Sequence, residues 1–297
     1  MLANFKQIFN RQMIILDGKK VAEKSNLEIK NKVENLKAQA GRSPFLAAIL
    51  VGDDKASETY VSMKEKTCHR LGLESKSFKL PESSSTEDVL GLIKELNNNA
   101  NVDGILLQHP VPKQVDEMKC FNEIRLDKDV DGVNTQGYGN MAMGIEAFHS
   151  CTPFGIMRLL DAYKVDCTGK LAIVVGRSQI LGKPMSAMLL NSNATVLTAH
   201  SKTKNLNELI SMGDIVVAAV GKPKFIKANN LKKDSILIDA GYHPELNCGD
   251  VDMEGIEKIV SAYTPVPGGV GPMTINSLIL NTVCLLYTSP SPRDQLT

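Results

Sequence analysis

No charge of one sign dominates the 297 residues: Lys and Arg number 34 against 33 Asp and Glu, a formal net charge of +1. Neither a basic tail nor an arginine-rich stripe is present, which argues against nucleic acid as a partner, because a phosphate backbone is held by clustered cations. No apolar run approaches the roughly 18 residues that mark a membrane-spanning helix, so no membrane partner is expected. The six cysteines, Cys68, Cys120, Cys151, Cys167, Cys248 and Cys284, include no C-x-x-C pair, and the five histidines form no H-E-x-x-H. A structural zinc site or a disulfide framework is not expected from such spacing, and a reducing compartment fits better.

Hydrophobic residues make up 43% of the chain, enough at this length for two domains of ordinary size, each with its own core. Residues 1–12 carry Lys6 and Arg11, no acidic residue, and Leu2, Phe5, Ile8 and Phe9 at helix-like spacing. That pattern fits a very short mitochondrial presequence and equally an ordinary N-terminal extension, so a cytoplasmic location is expected with a mitochondrial one as the alternative. At the other end an apolar helical pattern reaches Leu286. Residues 287–297 then form an atypical tail in which Pro290 and Pro292 forbid a continuing helix. The abrupt change in composition suggests a tail foreign to the fold.

Between the ends, strand-like and helix-like segments alternate. Phe45 to Val51 is a short apolar run closed by Gly52-Asp53 and reads as a buried strand. Ala56 to Leu71 reads as a helix, and Ser84-x-x-Glu87 has the form of a capping box opening another towards Leu96. Gly104 to Gln108 is strand-like and is stopped by Pro110 and Pro112. Thr152-Pro153 pairs a cap residue with proline at the first helical position, and the helix it opens links two domains. A second series follows: strands at Leu171 to Val175, Thr195 to Thr198, Ile215 to Val220 and Ile236 to Asp239, a helix at Pro184 to Leu190, and a further strand candidate at Ile259 to Ala262. Thr264 to Pro272 is rich in glycine and proline and is expected to be irregular. The alternation indicates an α/β protein with parallel sheets covered by helices. No internal repeat and no coiled-coil pattern is present.

The strand at Leu171 runs into Gly176-Arg-Ser-Gln-Ile-Leu-Gly182-Lys183-Pro184. A glycine where strand hands over to helix lets backbone approach a phosphate, and the helix N-terminus supplies N–H groups and positive dipole. The spacing matches neither G-x-G-x-x-G nor a Walker A loop, so a plain connection remains an equal reading of the loop alone. An NAD site would place a carboxylate at the end of the next strand to bind the ribose 2′-hydroxyl. Here that strand leads into Ala199-His200-Ser201-Lys202-Thr203, with no carboxylate. Hydroxyls and a cation, with Arg177 nearby, suit a 2′-phosphate and point to NADP, although Lys202 also fits a solvated surface charge.

In the first half, Ser57, Tyr60 and Lys64 fall at i, i+3 and i+7 of one helix and share a face. They form either an active-site wall, with ring and amine turned to a flat substrate, or a solvated lysine beside a half-buried tyrosine. Gln108 closes a strand where α/β proteins place ligands, or is a simple loop residue. Lys128-Asp-Val-Asp131-Gly132 carries two carboxylates, too few oxygen ligands for calcium but suited to an amide-rich ring such as a pterin.

Taken together, these segments resemble the bifunctional methylenetetrahydrofolate dehydrogenase/methenyltetrahydrofolate cyclohydrolase family from about Leu16 to about Val283. The runs that carry the resemblance are Tyr60-Val-Ser-Met-Lys64, Gly104-Ile-Leu-Leu-Gln108, Lys128-Asp-Val-Asp131-Gly132, Val174-Val-Gly176-Arg-Ser178, His200-Ser-Lys-Thr203 and, most specific, Thr264-Pro-Val-Pro-Gly-Gly-Val-Gly-Pro-Met-Thr274. The resemblance implies an N-terminal α/β substrate domain over residues 13–151, joined by a C-terminal helix at 274–286. It implies a Rossmann-like NAD(P)-binding domain over residues 152–273, with the active cleft between the two. It implies NADP-dependent oxidation of 5,10-methylenetetrahydrofolate and hydrolysis of the methenyl product to 10-formyltetrahydrofolate, in a homodimer. By the same resemblance Lys64 looks like the catalytic lysine, Gln108 its partner and Asp131 the pterin anchor. Tyr60 would stack on the folate, with Leu107, His109 and the backbone of Pro267, Gly268, Gly269, Val270 and Gly271 around the substrate. Gly176, Arg177, Ser178 and Ser201 look like NADP contacts, with Tyr242 on the nicotinamide side.

Three features depart from the family pattern: His109 in place of a leucine, Tyr242-His243 after Asp239-Ala-Gly, and a final helix cut short by the proline-rich tail. A monofunctional or NAD-preferring dehydrogenase, or an idle NADP- or folate-binding scaffold, are the alternative readings. The intact Lys64, Gln108 and Asp131 speak against the scaffold.

Overall fold

A computed structural model describes residues 13–288. The N-terminal extension and tail residues 289–297 lie outside the described residues. In chain order the first elements are β1 (Ile14–Ile15), α1 (Gly18–Ala40), β2 (Phe45–Val51), α2 (Lys55–Leu71), β3 (Glu74–Leu80), α3 (Thr86–Asn98), β4 (Gly104–Leu107), α4 (Glu117–Glu123) and α5 (Thr135–Ala142). Then follow α6 (Cys151–Ala162), β5 (Leu171–Val175), α7 (Gly182–Asn191), β6 (Thr195–Ala199), α8 (Leu206–Ile210), β7 (Ile215–Ala218), β8 (Ile236–Asp239), β9 (Ala262–Tyr263) and α9 (Val270–Thr288).

The strands form two sheets, one of three strands in the order β3-β2-β4 and one of six in the order β1-β9-β8-β7-β5-β6. Every pairing is parallel. Parallel strands covered on both faces read as unbroken apolar runs, because side chains alternate between two dry layers. In the small sheet Leu46, Ala48 and Leu106 pack with α1, α2 and α9, while Ala47, Ile49 and Leu107 pack on the opposite side with α3 and α4. In the large sheet Ala172, Val174, Ile215 and Val217 meet α6 and α7, and Ile173, Val175 and Val216 face the other layer.

Six elements, β1, α1, β3, α4, α5 and α8, escape the sequence reading, and for α1 and β3 the physical reason is plain. The buried stripe of α1 opens with Gly18, Ala22 and Asn26 before reaching Ile29, Val33 and Leu36, so its apolar period is weak where it begins. β3 is an edge strand of sequence Glu-Ser-Lys-Ser-Phe-Lys-Leu, partly exposed along its length. Other expectations shift by a few residues. The capping box is Ser85 with Asp88, one position later than expected. Helix α6 starts at Cys151 after Ser150, so Thr152 and Pro153 lie inside its first turn, where a missing N–H costs nothing. The strand expected at Ile259 is the short β9, preceded by a 3-10 turn at Ile256–Lys258. Helix α9 begins at Val270, inside the stretch expected to be irregular, because Pro272 again falls in a first turn. It continues through Tyr287 and Thr288, past the limit expected at Leu286.

The two halves are interlocked. β1, which the sequence-based boundaries assign to the first domain, pairs with β9 in the large sheet, while α9 returns from the large sheet to lie against α6, α1 and α2. Arg158 on α6 donates to Asn276 Oδ1 of α9 at 2.6 Å and to Ser25 Oγ of α1 at 2.7 Å. The buried Asn281 of α9 donates to Val130 O at 2.8 Å and His149 O at 3.2 Å, pinning the loop that carries Asp131. In Asn281→Ala the Val130 carbonyl loses its amide donor in a dry setting. Stability is expected to fall by ~1–3 kcal/mol, read as a lower denaturant midpoint at an unchanged m-value. An unmoved midpoint would show that the pin carries no load.

Candidate active site

Helix α2 sets the first wall. Asp54 caps it, accepting from Ser57 N at 2.7 Å, and Val61, Cys68 and Leu71 anchor its inner face. That rotation turns Tyr60 towards a cleft and sinks Lys64, which is only 6% exposed. Lys64 Nζ donates to Gln108 Oε1 at 2.9 Å. Gln108 follows β4, and its Nε2 donates to His109 O at 2.7 Å, so the amide can only present its oxygen to the lysine. The solvated-lysine reading is therefore excluded.

Burial pulls the Lys64 amine below the ordinary lysine range, opposed chiefly by Asp131. Burial likewise pushes the Asp131 carboxyl up, opposed by Lys64, then by the Cys151 thiol and His109. The same dry setting holds the Cys151 thiol well above its usual range. Amine, carboxyl and thiol thus share one desolvated space, and each is driven towards its neutral form. Of the Lys128–Gly132 run, only Asp131 faces this space. Lys128 Nζ donates to Leu96 O and Asn99 O at 3.0 and 2.8 Å. Asp129 accepts from Val133 N and Asn134 N at 3.2 and 2.8 Å, with its carboxyl pushed up to about 6 by burial.

A cleft of about 590 Å³ opens alongside, lined among others by Tyr60, Thr152, Tyr242 and the Pro267–Gly271 backbone. Burial raises the Tyr60 phenol, with Tyr242 adding to the effect, so the two rings face one space from opposite halves of the chain. Lys19 N donates to Gly268 O at 2.9 Å and Gly269 N to Pro265 O at 2.8 Å. Gly18 lies so close to Gly269 O that a β-carbon would overlap it, and the glycine–proline loop is therefore wedged against the start of α1. Within that run Pro267 is exposed on the lip and Val270 is buried in the core. Leu107 packs wholly in the core beneath β4, away from the cleft. The exposed ring of His109 pairs with Glu117 through Nδ1 at 2.6 Å.

The nucleotide candidates gather at the carboxyl ends of the adjacent strands β5 and β6. Gly176 has φ 150°, and a β-carbon there would overlap Ala219 O, so only glycine permits this turn. Ser178 Oγ accepts from Gly182 N at 3.2 Å, shaping the entry to α7. Arg177, Ser178, Ser201 and Lys202 are all exposed there. Ser201 and Lys202 ride a tight turn in which His200 N donates to Thr203 Oγ1 at 2.8 Å. No carboxylate stands at the end of β6.

Two groups of residues are not evident from sequence. Cys151 touches the Asp131 space, yet no motif marks it. Asp239 accepts from Gly241 N, Asp250 N and Val251 N at 3.0, 3.0 and 2.9 Å, and burial pushes it up to about 6. The fully buried Asp250 accepts from Val220 N and Gly221 N at 2.6 and 2.8 Å and pairs with His243 Nε2 at 2.9 Å. Together they brace the loops after β7 and β8 beside Tyr242. Their spacing in sequence carries no recognisable period.

Two family models match the chain: the tetrahydrofolate dehydrogenase/cyclohydrolase catalytic domain over residues 16–131 and the corresponding NAD(P)-binding domain over residues 150–289. The chain is 57% identical over 270 residues to the bifunctional protein FolD of Cellvibrio japonicus, covering 91% of this chain and 96% of that protein. Its fold is similar to the crystal structure of the bifunctional FolD dehydrogenase/cyclohydrolase of Campylobacter jejuni, with TM-score 0.89 and 41% identity over 93% of this chain and 99% of the other. It is similar also to the Trypanosoma brucei methylenetetrahydrofolate dehydrogenase-cyclohydrolase solved with NADP and an inhibitor, with TM-score 0.89 and 30% identity over 93% and 98% of the two chains.

The Gln108 carbonyl favours the charged amine over the neutral one. Gln108→Leu is therefore expected to move the Lys64 titration to still lower pH, as followed by NMR of the protein with isotopically labelled lysine side chains. A midpoint that stays put would show the pair to be a packing contact without electrostatic effect.

Proposed function

From the premise that the chain belongs to the tetrahydrofolate dehydrogenase/cyclohydrolase family, we propose that one cleft oxidises 5,10-methylenetetrahydrofolate with NADP and then hydrolyses the methenyl product to 10-formyltetrahydrofolate. The observation that carries this reading is the buried Lys64–Gln108 pair, with Asp131 beside it, one helical turn from Tyr60, which lines a cleft whose far wall belongs to the nucleotide-binding half.

The chain's own residues suit NADP. The Gly176 turn admits backbone close to a phosphate, α7 offers its N-terminus, and Arg177, Ser201 and Lys202 offer cations and hydroxyls with no opposing carboxylate. When bound, the cofactor supplies a nicotinamide that accepts hydride from the one-carbon bridge. Tyr60 and Asp131 orient the folate for that step, and the Pro267–Gly271 backbone holds it against the Tyr242 side.

Hydrolysis is the work of Lys64. Its amine, whose hold on a proton burial weakens, takes a proton from the water that adds to the methenyl carbon. It then returns a proton to the ring nitrogen as the carbon–nitrogen bond opens, and the carbinol O–H proton is released to solvent, leaving the formyl carbonyl. Gln108 holds the amine in place, and the nearby Asp131 anchors the amide-like edge of the pterin.

The reading extends to assembly and location. A homodimer is supported by exposed apolar Leu190 of the nucleotide-binding half and by Met143 and Ile145 at the end of the first half, the two segments tied where Asn191 Nδ2 donates to Met141 O at 2.9 Å. No helix among the described residues is long and apolar enough to cross a membrane. A cytoplasmic location fits the unpaired cysteines and the bacterial relatives; the mitochondrial alternative rests on residues 1–12, outside the described residues.

Lys64→Met keeps length and helix but removes the proton carrier. Hydrolysis of methenyltetrahydrofolate is expected to fall ~10²–10⁴-fold, with NADP reduction on methylenetetrahydrofolate falling less. Equal loss of both, with NADP still bound, would make Lys64 a shared positioning group. Initial rates should give a higher kcat/KM with NADP than with NAD, and Ser201→Asp should move the preference towards NAD by setting a like charge against the 2′-phosphate. An NAD-preferring parent protein would contradict the cofactor assignment.

A further inference from the structure

Strand β8 ends at Asp239, and the chain that follows forms the nucleotide-side wall of the cleft through Asp239, Ala240, Gly241, Tyr242 and Pro244. His243, in the middle of that run, is not part of the wall. Its half-buried ring turns the other way, and Nε2 stands 2.9 Å from Oδ1 of Asp250. Asp250 is fully buried, and no lysine or arginine among the described residues pairs with it. Its other oxygen, Oδ2, accepts from Val220 N at 2.6 Å and from Gly221 N at 2.8 Å. A carboxylate only accepts hydrogen bonds, so the ring nitrogen that faces it carries a hydrogen and donates.

The two oxygens of Asp250 serve two different parts of the molecule. Through Oδ2 the carboxylate holds the loop after β7. Ala219 of that loop lies so close to the Gly176 turn that a β-carbon on Gly176 would overlap the Ala219 carbonyl, which makes this the phosphate side. Through Oδ1 the carboxylate holds His243 and with it the neighbouring Tyr242, which lines the cleft. The wall has two other ties: Gly241 N donates to Asp239 Oδ1 at 3.0 Å, and His243 N donates to Cys248 O at 2.8 Å. Neither of them reaches the Asp250 carboxylate. Lys64 and Gln108 belong to the other half of the chain, and among the described residues they share no hydrogen bond with this brace. Resting on the functional reading given above, we infer that His243 is a positioning residue for hydride transfer and not for hydrolysis. It acts through Asp250 to hold the Tyr242 wall that keeps the nicotinamide beside the one-carbon bridge. The phosphate turn has its own support from Oδ2, so loss of the ring loosens the reacting end of the cofactor while the anchored end stays held. Hydride transfer is sensitive to such slack, since a misplacement of about 1 Å costs roughly a hundredfold.

The test uses His243→Ala and His243→Gln in the full chain. Each is assayed for NADP reduction with methylenetetrahydrofolate and, separately and without NADP, for hydrolysis of methenyltetrahydrofolate. In His243→Ala the kcat for NADP reduction is expected to fall about tenfold to a hundredfold, with the KM for NADP little changed and hydrolysis at the parent's rate. Glutamine carries an amide N–H the same number of bonds from the backbone as the histidine Nε2, so His243→Gln is expected to recover most of the lost kcat. Equal loss of both activities in His243→Ala would make the bridge a general support of the fold and overturn the inference. Undiminished NADP reduction, or a His243→Gln protein as slow as His243→Ala, would overturn it as well. A raised KM for NADP at unchanged kcat would assign the ring to cofactor affinity and likewise remove the claim. In each of these cases an active parent leaves the functional reading standing. A parent that neither reduces NADP with methylenetetrahydrofolate nor hydrolyses the methenyl compound would overturn the functional reading, and the inference with it.

Discussion

A primary amine taken out of water cannot keep its charge cheaply, since burying an unpaired ammonium costs several kcal/mol even after the surroundings relax. In this fold burial draws the Lys64 amine below the ordinary lysine range, and Gln108 gives it one oriented acceptor. Everything near the pair serves to keep it dry and aimed. The strand β4 ends where Gln108 must stand, the His109 carbonyl fixes which end of the amide faces the lysine, and α2 carries Lys64 and Tyr60 one turn apart on one side. A lysine that holds its proton less tightly is a better base, which is what adding water to a methenyl carbon requires.

That local arrangement depends on long-range closure of the chain. The loop bearing Asp131 is held by Asn281, which arrives on α9 at the far end of the sequence. The glycine–proline loop before α9 is held by the start of α1, near the beginning. Helix α9 lies against α1 and α6, so the two carboxyl-terminal sheet edges that bear folate and nucleotide chemistry are fixed relative to one another by the same helices that carry the site's braces. One cleft can then serve hydride transfer and hydrolysis without the substrate leaving, because both reacting partners are set by a shared frame.

The sequence made the strands of both sheets legible where they are buried on two faces, since Phe45–Val51 and Ile236–Asp239 are continuous apolar runs. It was less legible where polar or small residues carry the packing, as in the first turns of α1 and along β3. For the site, the helical spacing of Ser57, Tyr60 and Lys64 located one face of α2, but spacing alone left a solvated lysine open. Only the 2.9 Å approach to Gln108, from a residue 44 positions away, removes that possibility. Cys151 and the Asp239–Asp250–His243 brace were invisible because their partners meet only through sheet topology. The Leu107 side chain proved to be core, for strand alternation turns it away from the face that Leu106 shares with α2.

The central claim is that one cleft carries both steps in sequence. Its most direct test is a single-turnover experiment with methylenetetrahydrofolate, NADP and excess protein, following NADPH, methenyltetrahydrofolate and 10-formyltetrahydrofolate together. The account predicts that NADPH and 10-formyltetrahydrofolate form in equal amounts, with methenyltetrahydrofolate present only transiently. Methenyltetrahydrofolate accumulating to the level of NADPH, and then decaying at the rate seen without protein, would contradict it.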